Sequence, residues 1–314
     1  MPARSRSSRR APLRGANSSG GHATVSALAA NVGIALAKFV AFAFTGSASM
    51  LAEGIHSVAD TSNQALLLLG LRRARKPPTD EHPFGFGRER YFWSFVVAVV
   101  LFTIGGVASL IDGYEKVRAP GRVTSPEWAF GVLAVSIVLE SLSLRVAVRE
   151  ANEVRRGSWR SYVRDAKAPE VVVLIVEDAG ALIGLLFALT GVTLATVLHD
   201  ERFDAIGSLA IGGLLCALAL ILASELRSLL IGEAATPENI AAIDAAIREA
   251  PELEELIYAR TLHIGPDTLV IGAKVRLRAD LTFEHVVDVI NAMEKRIRER
   301  VPVARYIYIE PDRD

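Results

Sequence analysis

Apolar residues in this chain run in long blocks separated by short polar stretches. Six blocks stand at roughly 24–44, 50–71, 91–113, 127–148, 170–198 and 204–230. Each approaches or exceeds the ~20 residues a helix needs to cross ~30 Å of hydrocarbon. The fifth and sixth are long enough that interfacial turns are expected within them. Helices buried in a large soluble protein would need long polar-faced elements to cover them, and the stretches between these blocks are too short for that. The pattern predicts a helical membrane protein with a six-helix transmembrane domain over 21–230.

After Leu230 the pattern changes. Residues 237–250 place Ile240, Ile243 and Ile247 at helical spacing behind Pro237, a residue favoured in a first helical turn. Residues 255–263 and 268–277 alternate apolar with polar side chains, and Gly265-Pro266-Asp267 supplies a turn between them. An amphipathic helix over 283–300 should bury Val286, Val287, Ile290, Met293 and Ile297, and a short strand follows from Tyr306 to Ile309. The order α-β-β-α-β predicts a small α+β, ferredoxin-like domain over 231–314, with two helices covering one sheet face.

Apolar residues make up 51% of the 314, too many for an ordinary soluble domain. The 35 basic and 35 acidic residues cancel, so no nucleic-acid partner is expected. Residues 231–314 carry 16 Asp and Glu against 11 Lys and Arg, which leaves the compensating base elsewhere. Cys216 is the only cysteine, which excludes an internal disulfide framework and a Cys-based zinc site within one chain. Residues 1–20, rich in Arg and Ser, read as a disordered basic tail rather than a secretory signal.

Basic residues also set orientation. Arg4, Arg6, Arg9, Arg10 and Arg14 precede the first block; Arg72, Arg73, Arg75, Lys76, Arg88 and Arg90 lie between the second and third. Seven more, from Arg145 to Lys167, lie around the loop between the fourth and fifth. The opposite loops carry only Lys116, Arg118, Arg122 and Arg202. Both termini are therefore expected in the cytoplasm, with the cell membrane as the expected location.

Ionisable groups at membrane depth carry the candidate chemistry. Glu53, His56 and Asp60 share one side of the second block at spacings i, i+3 and i+7. An imidazole and a carboxylate one turn apart, His56 and Asp60, can face one divalent metal. Glu53, close to the exterior boundary, is either interfacial or part of an exit path. Glu177 and Asp178 interrupt an apolar run and project about 100° apart, so one can meet the ion while the other faces a neighbour or a water path. Glu140, with Ser136, Ser141 and Ser143 nearby, reads as a helix-packing hydrogen bonder or a member of the ion path. Lys38, near the end of the first block, reads as snorkelling to the interface. So many acids with one imidazole call for a cation, either a divalent metal or protons. A His and carboxylate donor set suits zinc, cobalt, iron or manganese; lack of sulfur disfavours copper(I), and His56 disfavours calcium and magnesium.

The stretches GSASMLAEGIHSVADTSNQ at 46–64, HPFGFGRER at 82–90, FDAIGSLAIGG at 203–213 and SLLIGEAA at 228–235 resemble the cation diffusion facilitator family, and the likeness covers about 24–314. The resemblance implies a homodimeric exporter that exchanges zinc or a related divalent ion for protons by alternating access. It implies that the first, second, fourth and fifth spans enclose the site while the third and sixth help form the dimer. His56 and Asp60 fall on the ligand positions of the family's second span, and Asp178 on the Asp of the fifth. Leu174 stands where the fifth span's His partner belongs, and Glu177 is the adjacent replacement, a variant similar to the branch that includes a mitochondrial zinc exporter. Three side chains plus water, or Glu140 or Asn31 from a neighbouring helix, would then complete the shell. In the tail, Ala273 and Tyr308 occupy positions aligned with family His ligands while Glu310 keeps an acid, so no full metal cluster is expected there. His263 and His285 are isolated and read as structural or solvent-facing. His82 opens a Pro-Phe-Gly turn, read as structural ahead of an ion relay.

These readings predict a proton-coupled metal exporter rather than an enzyme, with a lipid bilayer, a divalent ion and a second copy as partners and no bound cofactor. Two other classes compete. A non-transporting scaffold or regulator on the same fold is favoured by the lost fifth-span His and opposed by the intact His56–Asp60 pair. An intramembrane metalloenzyme would need a catalytic spacing such as His-Glu-x-x-His, and none occurs.

Overall fold

The computed structural model of the chain describes residues 48–118, 126–155 and 166–313, with scattered positions at 28–43 and 158–162. The tail at 1–20, Lys38 and most of the first apolar block lie outside the described residues, as do the side chains of 48–57 and 59.

The described positions between 28 and 43 are helical. Helix α1 spans Ala48–Ala74 and carries Arg72 and Arg73 in its last turn. Lys76-Pro77-Pro78 follows shortly, and residues before proline avoid the helical region. Helix α2, Glu89–Val100, runs through a π-helical stretch at Leu101–Val107 into α3, Ala108–Arg118. Helix α4 covers Pro126–Val154, α5 covers Pro169–Leu198 and α6 covers Arg202–Ile231. Four rods among the described residues are long and apolar enough to cross a membrane: Glu89–Arg118, Ala129–Glu153, Pro169–Leu198 and Arg202–Ile231.

The interfacial turns expected within the fifth and sixth blocks do not occur; α5 and α6 are each continuous for 30 residues. Neither contains proline past Pro169. An unbroken helix also pairs its backbone groups internally between its end turns, which hydrocarbon demands. At 1.5 Å per residue each rod is about 45 Å long, more than the hydrocarbon alone.

Within the bundle α5 packs between α4 and α6, α6 lies along α2, the π-helical stretch and α3, and α1 lies on α2. Small residues bring backbones close. A side chain at Gly106 would meet Cys216, and one at Gly212 would meet Leu110. Leu67, Tyr91, Val97, Val173, Leu222 and Leu226 form a core that ties α1, α2, α5 and α6 together.

Beyond α6, helix α7 (Pro237–Arg248), strands β1 (Leu253–Gly265) and β2 (Thr268–Leu277), helix α8 (Phe283–Arg300) and strand β3 (Ala304–Asp312) follow the expected order. Strand β2 is central, antiparallel to β1 and parallel to β3. Its side chains alternate between buried and partly buried, so Leu269, Ile271, Ala273 and Val275 meet Ile243 and Ile247 of α7 and Met293 and Ile297 of α8. Thr236 and Thr282 cap the two helices by accepting from the N–H of Asn239 and His285. One expected core residue is reversed: Val287 is exposed and Val289 is buried, because the stripe through Met293 and Ile297 continues back through Val289 and Val286.

A joint connects the two groups of elements. Arg90 on α2 grips Glu170 on α5 through Nε to Oε1 and Nη2 to Oε2, the latter at 2.9 Å, and reaches Asp267 in the β1–β2 turn at 3.1 Å through Nη1. Lys167 pairs with Glu233 just beyond α6. Phe84 meets Tyr306 edge to face at 5.1 Å between centroids. The backbone at Gly87 lies so close to β1 that an added Cβ would stand 2.7 Å from the Ile264 carbonyl oxygen. Gly232, which ends α6 at φ +120°, adopts a backbone that favours glycine. His82 is held within its turn: its N–H donates to the Thr79 carbonyl, its own carbonyl accepts from Thr79 and Gly85, and its ring meets Phe86 edge to face.

Candidate metal centre

Three helices and the first apolar block supply one polar cavity inside the bundle. Its walls are Asn31 from that block, Asp60 and Gln64 from α1, Ser136, Leu139, Glu140 and Ser143 from α4, and Glu177, Asp178 and Ala181 from α5. The sequence dictates the wall directly: Asp60 and Gln64 are one turn apart, as are Ser136 with Glu140, and Glu177 with Ala181. The cavity measures about 30 Å³, room for one or two bodies the size of a water molecule or a bare ion.

Electrostatically the wall is one-sided. Four carboxylic groups face it, and among the described residues no Lys or Arg lines it. Asn63, beside the cavity, donates from Nδ2 to Glu177 Oε1 at 2.6 Å, and the Ser143 hydroxyl donates to Asp178 Oδ2 at 2.8 Å. These two bonds lead in different directions, as adjacent residues on a helix require. Asn63, Gln64, Glu177 and Asp178 are all more than nine-tenths buried. Among the described residues, Glu177 Oε2, Asn63 Oδ1 and Gln64 Oε1 are buried oxygens with no hydrogen-bond donor.

Of the residues singled out from sequence, Asp60, Glu140, Glu177, Asp178 and Asn31 line this single cavity. The side chains of His56 and Glu53 lie outside the described residues, although both positions are helical in α1. Among the described residues no set of three His, Cys, Asp or Glu side chains is gathered closely enough to hold a metal ion. Sequence reasoning missed Gln64 and Asn63. Their positions four and three residues after Asp60 were the available signal, since both spacings return to one helix side.

His263 and His285, outside the membrane spans, have other surroundings. His263 is 2% exposed, its Nδ1 lies 3.2 Å from the Gly265 carbonyl oxygen, and its backbone N–H donates to the Glu233 carbonyl at 2.8 Å. Burial pushes its pKa below the ordinary imidazole value. His285 is half-exposed and stands 3.4 Å from Glu252. Ala273 is packed in the core and Tyr308 is exposed on β3. A second cavity, about 600 Å³, opens at the joint and is lined by acids and bases together, among them Arg75, Lys76, Arg305, Glu150, Glu153 and Asp267.

A family model described as the cation efflux transmembrane domain matches residues 24–231. The chain is 32% identical over 262 residues to the human (Homo sapiens) mitochondrial proton-coupled zinc antiporter SLC30A9, covering 82% of this chain and 45% of that protein. It is 29% identical over 283 residues to metal tolerance protein C4 of Arabidopsis thaliana, covering 88% and 60%. It is 23% identical over 266 residues to the manganese efflux system protein MneS of Bacillus subtilis, covering 84% and 86%. The chain thus spans about half the length of the first of these relatives. With that model matching most of its length, and with an acid-lined cavity between its apolar helices, the chain belongs to the cation diffusion facilitator family.

Proposed function

We propose that this chain is a secondary transporter that exports a divalent transition metal ion, zinc first among them, from the cytoplasm in exchange for protons. The observation that carries this reading is the convergence of Asp60, Glu140, Glu177 and Asp178 on one cavity without a basic lining residue among those described. Such a wall is expensive inside a membrane unless a cation shares it. Names borne by relatives, a proton-coupled zinc antiporter and a manganese efflux protein, support the same class of cargo.

In the proposed site His56, Asp60, Glu177 and Asp178 meet the ion, with Glu140, Asn31 and Glu53 along its path. Metal binding needs neutral imidazole and ionised carboxylates, so the arriving ion displaces protons. Protons arriving from the opposite side compete for the same groups and release the ion. His56 suits the exchange because an imidazole titrates near physiological pH. Rocking of α1, α4 and α5 against the rest of the bundle would then move access across a site that stays in place.

The working unit is a homodimer in the cell membrane, with both termini cytoplasmic, 21–230 forming the transport domain and 231–314 the cytoplasmic dimerisation domain. The basic loops at 72–90 and 145–167 support that orientation. Purified protein in liposomes loaded with a zinc-sensitive dye tests the activity under an imposed pH gradient. Zinc flux is expected from the wild type and only background from His56→Ala plus Asp60→Ala. Unchanged flux in that variant would reject the assigned site.

A further inference from the structure

Gln64 is a buried polar group of the cavity that the transport reading leaves without a task. It lines the same wall as Asp60, one turn further along α1, and is 3% exposed. Its Oε1 has no hydrogen-bond donor among the described residues. The groups around it explain why. Ionised carboxylates are acceptors only and cannot satisfy an amide oxygen. The Ser143 hydroxyl is already committed to Asp178. One amide N–H of Asn63, the preceding residue on the helix, donates to Glu177. A cation is a partner that an amide oxygen and several carboxylates can share.

We propose that Gln64 lends its amide oxygen to manganese(II) as a neutral ligand, a contact that zinc does not need and that widens the site's cargo to manganese. The inference rests on the transport reading above. It addresses the gap left by Leu174, which has no atom to offer a metal. Replacing an imidazole on α5 by an amide oxygen on α1 shifts the donor set from nitrogen towards oxygen. Carboxylate and carbonyl oxygens suit manganese(II), whereas each imidazole removed weakens the case for four-coordinate zinc. A neutral ligand also adds a contact without adding a fifth negative charge to a wall that already holds four acids. Asn63 supports the arrangement as a positioning residue: its bond to Glu177 Oε1 fixes one carboxylate oxygen and leaves Oε2 turned elsewhere.

Calorimetric titration of the purified full chain with manganese(II) and with zinc(II) provides the test. Gln64→Met keeps length and burial but removes the oxygen, Gln64→Glu keeps an oxygen, and Asp60→Asn serves as control. Gln64→Met is expected to weaken manganese binding about tenfold or more while zinc binding changes less than about threefold, with Gln64→Glu retaining manganese. Should Gln64→Met not fold, Gln64→Ala takes its place with the same expectation. Wild-type manganese affinity in Gln64→Met would overturn the proposal, as would absence of manganese binding by the wild type. Equal loss of both metals in Gln64→Met and Gln64→Glu would assign Gln64 to packing and overturn it too. In those cases loss of both metals in Asp60→Asn leaves the transport site standing; wild-type binding in Asp60→Asn would remove the site reading and this proposal together.

Discussion

Two clusters of buried charge sit in this molecule and are satisfied in opposite ways. At the joint Arg90 is forked onto Glu170 and extended to Asp267, so both of these acids have a guanidinium N–H against them. In the cavity Asp60, Glu140, Glu177 and Asp178 gather with no lining Lys or Arg among the described residues, and Glu177 and Asp178 accept from an amide and a hydroxyl. The first arrangement carries its own cation and is therefore fixed. In the proposed function the second takes its cation from outside, and its negative wall is matched by two protons or by one divalent ion in turn. Structure is stabilised by closing a charge network; transport requires leaving one open.

The comparison can be broken from either side. Leu139→Lys would place a permanent cation on the cavity wall beside Glu140, giving the proposed transport site the logic of the joint. Metal flux in liposomes should fall to background while the protein still elutes as a single species; normal flux would show that the acids do not act through their charge. The converse change, Arg90→Met, strips the joint of its base and leaves Glu170, 5% exposed, uncompensated. Loss of one partner of such a pair costs about 3 kcal/mol, read as a lower melting temperature, and Arg90→Met with Glu170→Leu should recover most of it. Gly87→Ala tests the same joint sterically. The new Cβ must avoid the Ile264 carbonyl oxygen and Gly265 Cα, so a loss of about 1–3 kcal/mol is expected in the same melt.

The smallest effect concerns His263, which stands beside the joint. Its folded pKa is lowered by burial, so the unfolded chain binds its proton more readily. The stability it contributes is complete above the ordinary imidazole value near 6.5 and declines as pH falls from there towards the lowered folded value. His263→Asn should flatten the melting temperature between pH 7.5 and 5.5; an unchanged slope would place the sensitivity elsewhere.

Sequence made the fold legible wherever one physical demand acts alone. Blocks of apolar residues became helices because hydrocarbon leaves the backbone no other partner, and β2 kept its alternation because one face is buried. It failed where two demands compete. Interfacial turns were expected in α5 and α6 from length alone, yet continuous helix satisfies more backbone groups. Val287 and Val289 are equally apolar, and only the docking of α8 on β2 selects the second. Asp60, Glu140 and the Glu177–Asp178 pair were visible as charges in the wrong solvent. Gln64 and Asn63 were not, because an amide in a helix raises no alarm until its neighbours are known. The joint was invisible for another reason: Arg90 and Asp267 are 177 residues apart, and each looks like an ordinary loop charge.

Proton release on metal binding tests the open-cavity account most directly. Titrating zinc into the purified chain in two buffers of different ionisation enthalpy gives the protons displaced per ion. The account predicts at least one proton released for each ion bound near neutral pH, with both binding and release lost in Asp60→Asn plus Asp178→Asn. Binding without proton release, or binding untouched by that double change, would contradict it.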